Sequence, residues 1–283
     1  MSDTKIEWTE KSWNPVTGCS KVSDGCLHCY AETMAKRLRA MGVAKYADGF
    51  AVRCHPECLS EPLHWRKPRR IFVNSMSDIF HPQVPQAFRT EVFDIMCSWR
   101  WPSKAAQREG DTEDLVDPGH TFQILTKRPE NITPWLEWVD EFCPGDSAFQ
   151  VVFDNPFGGP PRIPKHIHLG VTVENQQAAA ERIPRLLDTP AAVRFISVEP
   201  MLSPIDLRKY YEDMKISWVI VGAETGPGRR PCKLEWVRDI ITQCDDANVP
   251  IFIKQLSING KVSKDPAEWP EWARRREYPK AKA

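Results

Sequence analysis

Six short apolar runs recur along the chain, and each stops at polar residues. They are Ile71–Ser75, His120–Thr126, His168–Val173, Val193–Val198, Trp218–Gly222 and Pro250–Lys254. All are rich in β-branched or aromatic residues and most are too short for helices, so they read as buried parallel strands. A weaker candidate, Trp13–Thr17, precedes them. Between the runs lie amphipathic stretches. Helices are predicted at Tyr30–Met41, Pro85–Trp99, onward from Thr133-Pro134, at Asn175–Leu187 (with Pro184 as a kink or interruption) and at Lys233–Ala247. Strands alternating with helices give βαβ units and a parallel sheet. About seven repeats in one chain predict a single α/β domain, a parallel (β/α) barrel, complete or partial TIM-like. No Gly-x-Gly-x-x-Gly follows an early strand, which disfavours a dinucleotide fold. The barrel is expected over residues 1–258, with loop insertions near 43–66, 100–118 and 143–165. Residues 259–283 read as a polar tail, partly disordered.

The ends of the strands carry the chemistry, because barrels of this kind build their sites where strands become loops. Here those positions are Asn74, Ser75, Ser77 and Asp78; Lys127 and Arg128; Thr172, Glu174 and Asn175; Ser197 and Glu199; Glu224. Each strand end also exits toward water, so any one of these groups is ordinary. Together they suit a polar, zwitterionic ligand with a carboxylate, an amine and a ribose. Lys127 or Arg128 would take the carboxylate, Asp78 the amine, and Glu174 or Asn175 the ribose hydroxyls.

After the first candidate strand comes Gly18-Cys19-Ser20-Lys21-Val22-Ser23-Asp24-Gly25-Cys26-Leu27-His28-Cys29-Tyr30. Three thiolates in one loop fit one face of a metal centre. Three is one short of a structural zinc site. It suits a cubane iron–sulfur cluster that leaves one iron free for a small molecule. The rival is Cys26-x-x-Cys29 with Cys54-x-x-x-Cys58, a four-thiolate zinc site that would leave Cys19 spare. Cys97 and Cys244 lie among apolar helix residues and read as core. Nine cysteines leave one over in any disulfide framework, which points to a reducing compartment. The start of the chain lacks an apolar signal region, and no run approaches the ~18 apolar residues of a membrane span, so a cytoplasmic location is expected. Lys+Arg and Asp+Glu both number 38, so the chain as a whole is no polyanion binder. Local patches remain open. Arg66-Lys67 with Arg69-Arg70 lie beside Trp65, Arg274-Arg275-Arg276 beside Trp269 and Trp272, and Arg229-Arg230 stand apart. The runs beside tryptophans are candidate nucleic-acid surfaces, against the commoner reading of solvated charge. His81 reads as a structural hydrogen-bonding group rather than a proton donor.

A cysteine triplet that leads from a first strand into a helix and then a parallel barrel resembles the radical S-adenosylmethionine enzymes. More narrowly, Trp13–Cys19, Gly25-Cys26 with Cys29–Glu32, Val73–Asp78, Leu125–Pro129, Gly170–Asn175 and Val221–Glu224 resemble a phage-associated three-cysteine protein family of unknown function. The likeness runs over about residues 5 to 256. It implies a radical-SAM type barrel in which Cys19, Cys26 and Cys29 hold a [4Fe–4S] cluster. S-adenosyl-L-methionine would bind the free iron, and one electron would release a 5′-deoxyadenosyl radical. It implies that Asn74–Asp78 lie at the amine-binding strand end, and that Glu174 and Asn175 lie near the ribose. An external electron donor, and a substrate that is a nucleobase or nucleic acid, belong to the same expectation, as does a separately encoded partner protein. The six residues between Cys19 and Cys26 exceed the three usual in that superfamily, and His28 stands where an aromatic residue is common. A barrel with a structural or redox-sensing cluster is the remaining alternative.

Overall fold

Most strands are apolar along their whole length because both faces of the sheet are covered. The computed structural model describes residues 4–98, 119–142, 163–211 and 215–279. The strands are β1 (Lys11–Trp13), β2 (Val16–Thr17), β3 (Arg53–Cys54), β4 (Arg69–Val73), β5 (His120–Thr126), β6 (Ile163–Thr172), β7 (Ala191–Val198), β8 (Trp218–Gly222), β9 (Ile251–Ile258) and β10 (Lys261–Ser263). The helices are α1 (Tyr30–Ala40), α2 (Gln86–Ser98), α3 (Ile132–Phe142), α4 (Gln176–Asp188) and α5 (Leu234–Asp246). The main sheet has eight strands in the order β1-β4-β5-β6-β7-β8-β9-β10. It is parallel from β1 to β9, and β10 is antiparallel. The sheet curls without closing, so the fold is a partial TIM-like α/β half-barrel.

Every predicted strand is present, and Trp13–Thr17 resolves into two. β1 joins the main sheet, while β2 pairs antiparallel with β3. Pro184 does not interrupt α4, which continues to Asp188. The insertion near 43–66 holds β3 and short 3-10 turns. The insertion at 100–118 lies outside the described residues, as does that near 143–165 apart from the three residues that open β6. Among the described residues, no helix is long and apolar enough to cross a membrane.

Register sorts the side chains between the two faces. Ile71, Phe122, Leu169, Ile196 and Val219 share a core with Val92, Trp135, Ile183, Val237 and Ile241 of the helices. Cys97 and Cys244 lie in that core, as expected. The concave face holds a second, aromatic cluster of Trp8, Phe195, Trp218, Ile220 and Phe252, with Phe72, Leu125 and Tyr278 against it. Gly170 permits this packing. A Cβ there would lie 2.5 Å from the Phe195 ring, which crosses it.

The stretch after 258 is not the disordered tail expected from its polarity. Asn259 and Gly260 both adopt positive φ (48° and 74°), the two-residue turn that Asn-Gly favours, and β10 folds back on β9. Trp269 is buried, and its indole N–H donates to Ser263 Oγ at 3.2 Å. Residues 275–277 then run antiparallel to the start of β9, with Ile253 N–H donating to Arg275 O and Glu277 N–H to Ile251 O. Tyr278 stacks on Trp218 at 5.7 Å and lies under the Arg70 guanidinium at 4.3 Å. Lys264 reaches Glu7 at 2.9 Å. The first and last described stretches therefore meet at Glu7.

Candidate functional site

The cysteine loop leaves β2 through Gly18, whose φ is +82°. A Cβ there would sit 2.0 Å from the carbonyl oxygen of Ala51, so only glycine fits. Three of the predicted site residues build this departure. Asn74, itself at φ +61°, accepts from Val16 N–H at 3.2 Å. Ser77 donates to Val16 O at 2.8 Å, and Ser75 donates to Asn14 Oδ1 at 3.2 Å. Gly18 bridges Ser77 in parallel.

From there the loop crosses the C-terminal ends of the strands and is tied down at β5, β6 and β8. At the end of β5, Arg128 donates to Ser20 O at 2.7 Å, Ser20 Oγ at 3.0 Å and Cys19 Sγ at 3.3 Å. Asp78 holds that guanidinium at 3.3 Å and accepts from Thr126 Oγ1 and Lys127 N–H. Both members of the pair are buried. Beyond β6, Glu174 is fully buried against Arg182 at 2.8 Å and takes the Gly25 N–H at 3.4 Å. After β8, Glu224 accepts from Arg230 and pairs with His28 Nδ1 at 3.1 Å, while Arg230 also donates to Asp24 O at 2.9 Å. His81 behaves as a structural group. Its Nδ1 accepts from Gln83 N–H, so its Nε2 carries the proton and donates to Ser20 Oγ at 2.8 Å.

Charge on the loop follows from these neighbours. Burial pushes the Cys26 thiol up, but Lys127, the Ser23 hydroxyl and the backbone at Val22 and Ser23 outweigh it and hold it below its ordinary value. Burial pushes the Cys19 thiol up, with Asp78 adding to the rise and Arg128 opposing it. Cys19 and Cys26 lie near enough for each thiolate to feel the other. Burial alone would raise Glu174, yet Arg182, Ser23 and Lys127 keep it ionised. Glu224 is likewise pushed up by burial and pulled to about 2 by Arg230 and His28.

The predicted residues thus divide. Asn74, Ser75, Ser77, Asp78, Arg128, Glu174 and Glu224 grip the loop or its approach instead of lying open to a ligand. Asn175 caps α4, accepting from Ala178 N–H at 2.8 Å. Lys127, Thr172 and Ser197 lie in register on the concave face, and Lys127 looks toward Cys26 and Glu174. Glu199 stands apart, paired with Lys254 at 2.5 Å and Gln255 at 3.0 Å over Gly222. Sequence reasoning missed Arg182, Arg230 and Ser20 as partners. Arg182 had a signal, since it lies two turns into the helix that follows Glu174.

The family described as "Protein of unknown function (DUF5131)" matches residues 3–104 and 114–275. The chain belongs to this family. No curated protein matches it. Among solved structures, spore photoproduct lyase complexed with dinucleoside spore photoproduct is similar at 10% identity and a TM-score of 0.46, over 86% of this chain and 62% of that one. A mutant of that lyase with bound AdoMet and dinucleoside spore photoproduct gives 10% and 0.44 over the same shares. Another mutant gives 11% and 0.43, over 78% of this chain and 57% of that one. The chain therefore spans about three fifths of the lyase chains it matches.

The donor set of this DUF5131 chain, three thiols on one loop, has the chemistry of a cubane with one iron left without a thiolate. Among the described residues no three His, Cys, Asp or Glu side chains converge on one metal ion, so the four-thiolate zinc site is not assembled. Cys54 sits in β3 opposite Val16, and Cys58 Sγ accepts from Lys45 at 3.1 Å. A cubane gives each thiolate its own iron, so its ligands stand further apart than those of one ion. Cys19, Cys26 and Cys29 are each half-buried, with Arg128 donating to Cys19 and Ser23 and the Lys127 charge beside Cys26.

Several arginines of the basic runs have partners within the chain, while Arg66 and Lys67 are exposed. Arg69 and Arg70 flank Glu10 at the opposite end of β4 from the cysteines. Arg275 pairs with Asp245 and Glu277, Arg276 lies over Phe252 and Trp269, and Arg274 donates to Trp269 O. Arg229 donates to Gly260 O.

Proposed function

We propose that Cys19, Cys26 and Cys29 bind a [4Fe–4S] cluster and that the chain is a radical S-adenosylmethionine enzyme. One observation carries the reading. A loop with three thiols is strapped across the C-terminal mouth of a parallel half-barrel, where such folds place their chemistry, by ion pairs at the ends of β5, β6 and β8, the first two of them buried. Bound there, the cluster would supply the electron that splits a carbon–sulfur bond of S-adenosylmethionine into methionine and a 5′-deoxyadenosyl radical. The chain's own residues do the rest. Asp78 and Glu174 fix Arg128 and the Gly25 backbone, and so orient the loop. Arg128 donates toward Cys19, which favours a thiolate there. Lys127, half-buried beside the loop, is the group left to meet the methionine and ribose, with the buried Thr172 and Ser197 beside it on the same face. Glu199, Lys254 and Gln255 line the far side of the mouth and would face the second substrate. The aromatic cluster below keeps water from rising through the half-barrel.

The substrate class in this proposal is a nucleobase or nucleic acid, reached in the mouth rather than along the basic runs. The test is anaerobic reconstitution with iron and sulfide, followed by reductant and S-adenosylmethionine. Release of methionine and 5′-deoxyadenosine, lost in Cys26→Ser, is the expected result. Uptake of zinc alone, with no cleavage, overturns the proposal.

A further inference from the structure

One polar set at the mouth holds no part of the cysteine loop. Alternation along β7 puts Glu199 on the concave face after Ser197, and Lys254 follows Phe252 on the same face of β9. Between them lies β8, which ends in Gly222. A Cβ at Gly222 would lie 3.0 Å from Glu199 Cδ and 3.3 Å from Gln255 Nε2, so the glycine leaves the gap through which the carboxylate crosses β8. Glu199 Oε1 accepts from Lys254 Nζ at 2.5 Å and from Gln255 Nε2 at 3.0 Å. The Gln255 amide also donates to Ala223 O at 2.8 Å. Both neighbours on that side are acceptors, which fixes the amide with its nitrogen toward them. Its oxygen is left over. Gln255 is 1% exposed, and its Oε1 is buried with no partner among the described residues. A buried acceptor without a donor is costly, and the chain itself supplies none. The Glu199 and Lys254 side chains are not sealed, at 21% and 15% exposed. Among the described residues Glu199 Oε2 makes no hydrogen bond, and Lys254 spends one of its three N–H groups on Glu199.

We propose that Glu199, Lys254 and Gln255 read the Watson–Crick edge of a guanine base. This rests on the nucleobase reading given under Proposed function. The three side chains still offer one donor centre, the Lys254 ammonium, and two acceptors, Glu199 Oε2 and Gln255 Oε1. Guanine presents the complement on one edge, a single carbonyl oxygen beside a ring N–H and an amino group. Thymine, uracil and cytosine present two acceptors and one donor, and adenine presents one of each. Any of them leaves one acceptor of the protein unpaired. The charges of Glu199 and Lys254 cancel, which suits a neutral base and not a phosphate or carboxylate. Enzymes that act on a base taken out of the stack read it through this edge. A site built to hydrogen-bond one edge rejects a base that lacks it, because the site's own polar groups are then stranded.

The probes are the four 2′-deoxynucleoside monophosphates, which share sugar and phosphate and differ in the base, titrated by calorimetry against the reconstituted protein. The guanine nucleotide is expected to bind about tenfold or more tighter than the other three. Glu199→Gln keeps the size of the side chain and an oxygen for Lys254, but turns an acceptor into a donor. It should erase the preference by weakening the guanine nucleotide alone. A carboxylate that only tied β7 to β9 would move all four affinities alike, or none. Should urea unfolding show that Glu199→Gln does not fold, the charge-free Glu199→Gln/Lys254→Met must show the same loss of preference. Equal affinity for the four, binding of none, or a guanine preference that survives the substitutions overturns the proposal. Iron uptake and S-adenosylmethionine cleavage are read on the same unsubstituted protein. Their absence beside an intact guanine preference overturns the radical reading and supports this one, and their presence without a preference does the reverse.

Discussion

The two ends of the half-barrel are held by different forces. Below, Trp8, Phe72, Phe195, Trp218, Phe252 and Tyr278 pack ring against ring, and the first and last described stretches meet at Glu7. Above, the cysteine loop is held by Asp78–Arg128, Glu174–Arg182 and Glu224–Arg230. Apolar packing is non-directional and tolerant of small shifts. A buried ion pair fixes one geometry and stabilises little against a well-packed apolar alternative. Paired charge above and aromatics below mean that stability is concentrated at one end and position at the other.

The largest effect should come from the lower end. Trp218→Ala removes the ring that touches Trp8, Phe195, Phe252 and Tyr278 and should cost about 3–5 kcal/mol in urea unfolding. A cost under 1 kcal/mol would break the contrast. At the upper end, Arg182→Met leaves Glu174 buried and unpaired, which should cost about 3–5 kcal/mol. The double change Arg182→Met/Glu174→Leu should recover most of that stability while the loop loses its Gly25 contact. Iron retention that fell with the double variant despite restored stability would sharpen the division between stability and position.

The concave face supplies a pH test. His168 is half-buried beside Gln123, and loss of solvent around it pushes its imidazole down to about 4. The unfolded chain takes up that proton first, so stability should fall as pH drops from about 6.5 to 4, by ~3 kcal/mol at most. His168→Gln should flatten that slope. Glu224 gives a smaller signal in more acidic solution. Arg230 and His28 hold it near 2 against the rise from burial, so its contribution is complete above its ordinary range and drains away as pH falls toward about 2. Glu224→Gln should remove that acid dependence from the release of bound iron, and an unchanged acid profile would count against the strap.

Legibility followed the same division. The strands of the lower half were readable because their runs are continuously apolar, and the helices because their faces repeat. Tyr278 and Trp269 were not, since a polar stretch gives no hint that one aromatic in it will be buried and another will stack on Trp218. Asn259-Gly260 was the missed signal, a hairpin turn between β-branched residues. At the mouth the strand-end residues were readable as a set, but not their partners. Asp78 reads as a partner for a ligand's amine and Lys127 or Arg128 for its carboxylate, and the structure pairs Asp78 with Arg128. Arg182 and Arg230 lie close in sequence to the carboxylates they pair with, but the curl of the sheet brings Glu174 and Arg230 to the loop at Gly25 and Asp24.

The most direct measurement is electron paramagnetic resonance of the reduced, reconstituted protein with and without S-adenosylmethionine. The account expects about four irons and four sulfides per chain and a cluster signal that changes on adding S-adenosylmethionine, because one iron lacks a thiolate. A signal indifferent to S-adenosylmethionine, or none after reconstitution, would contradict it.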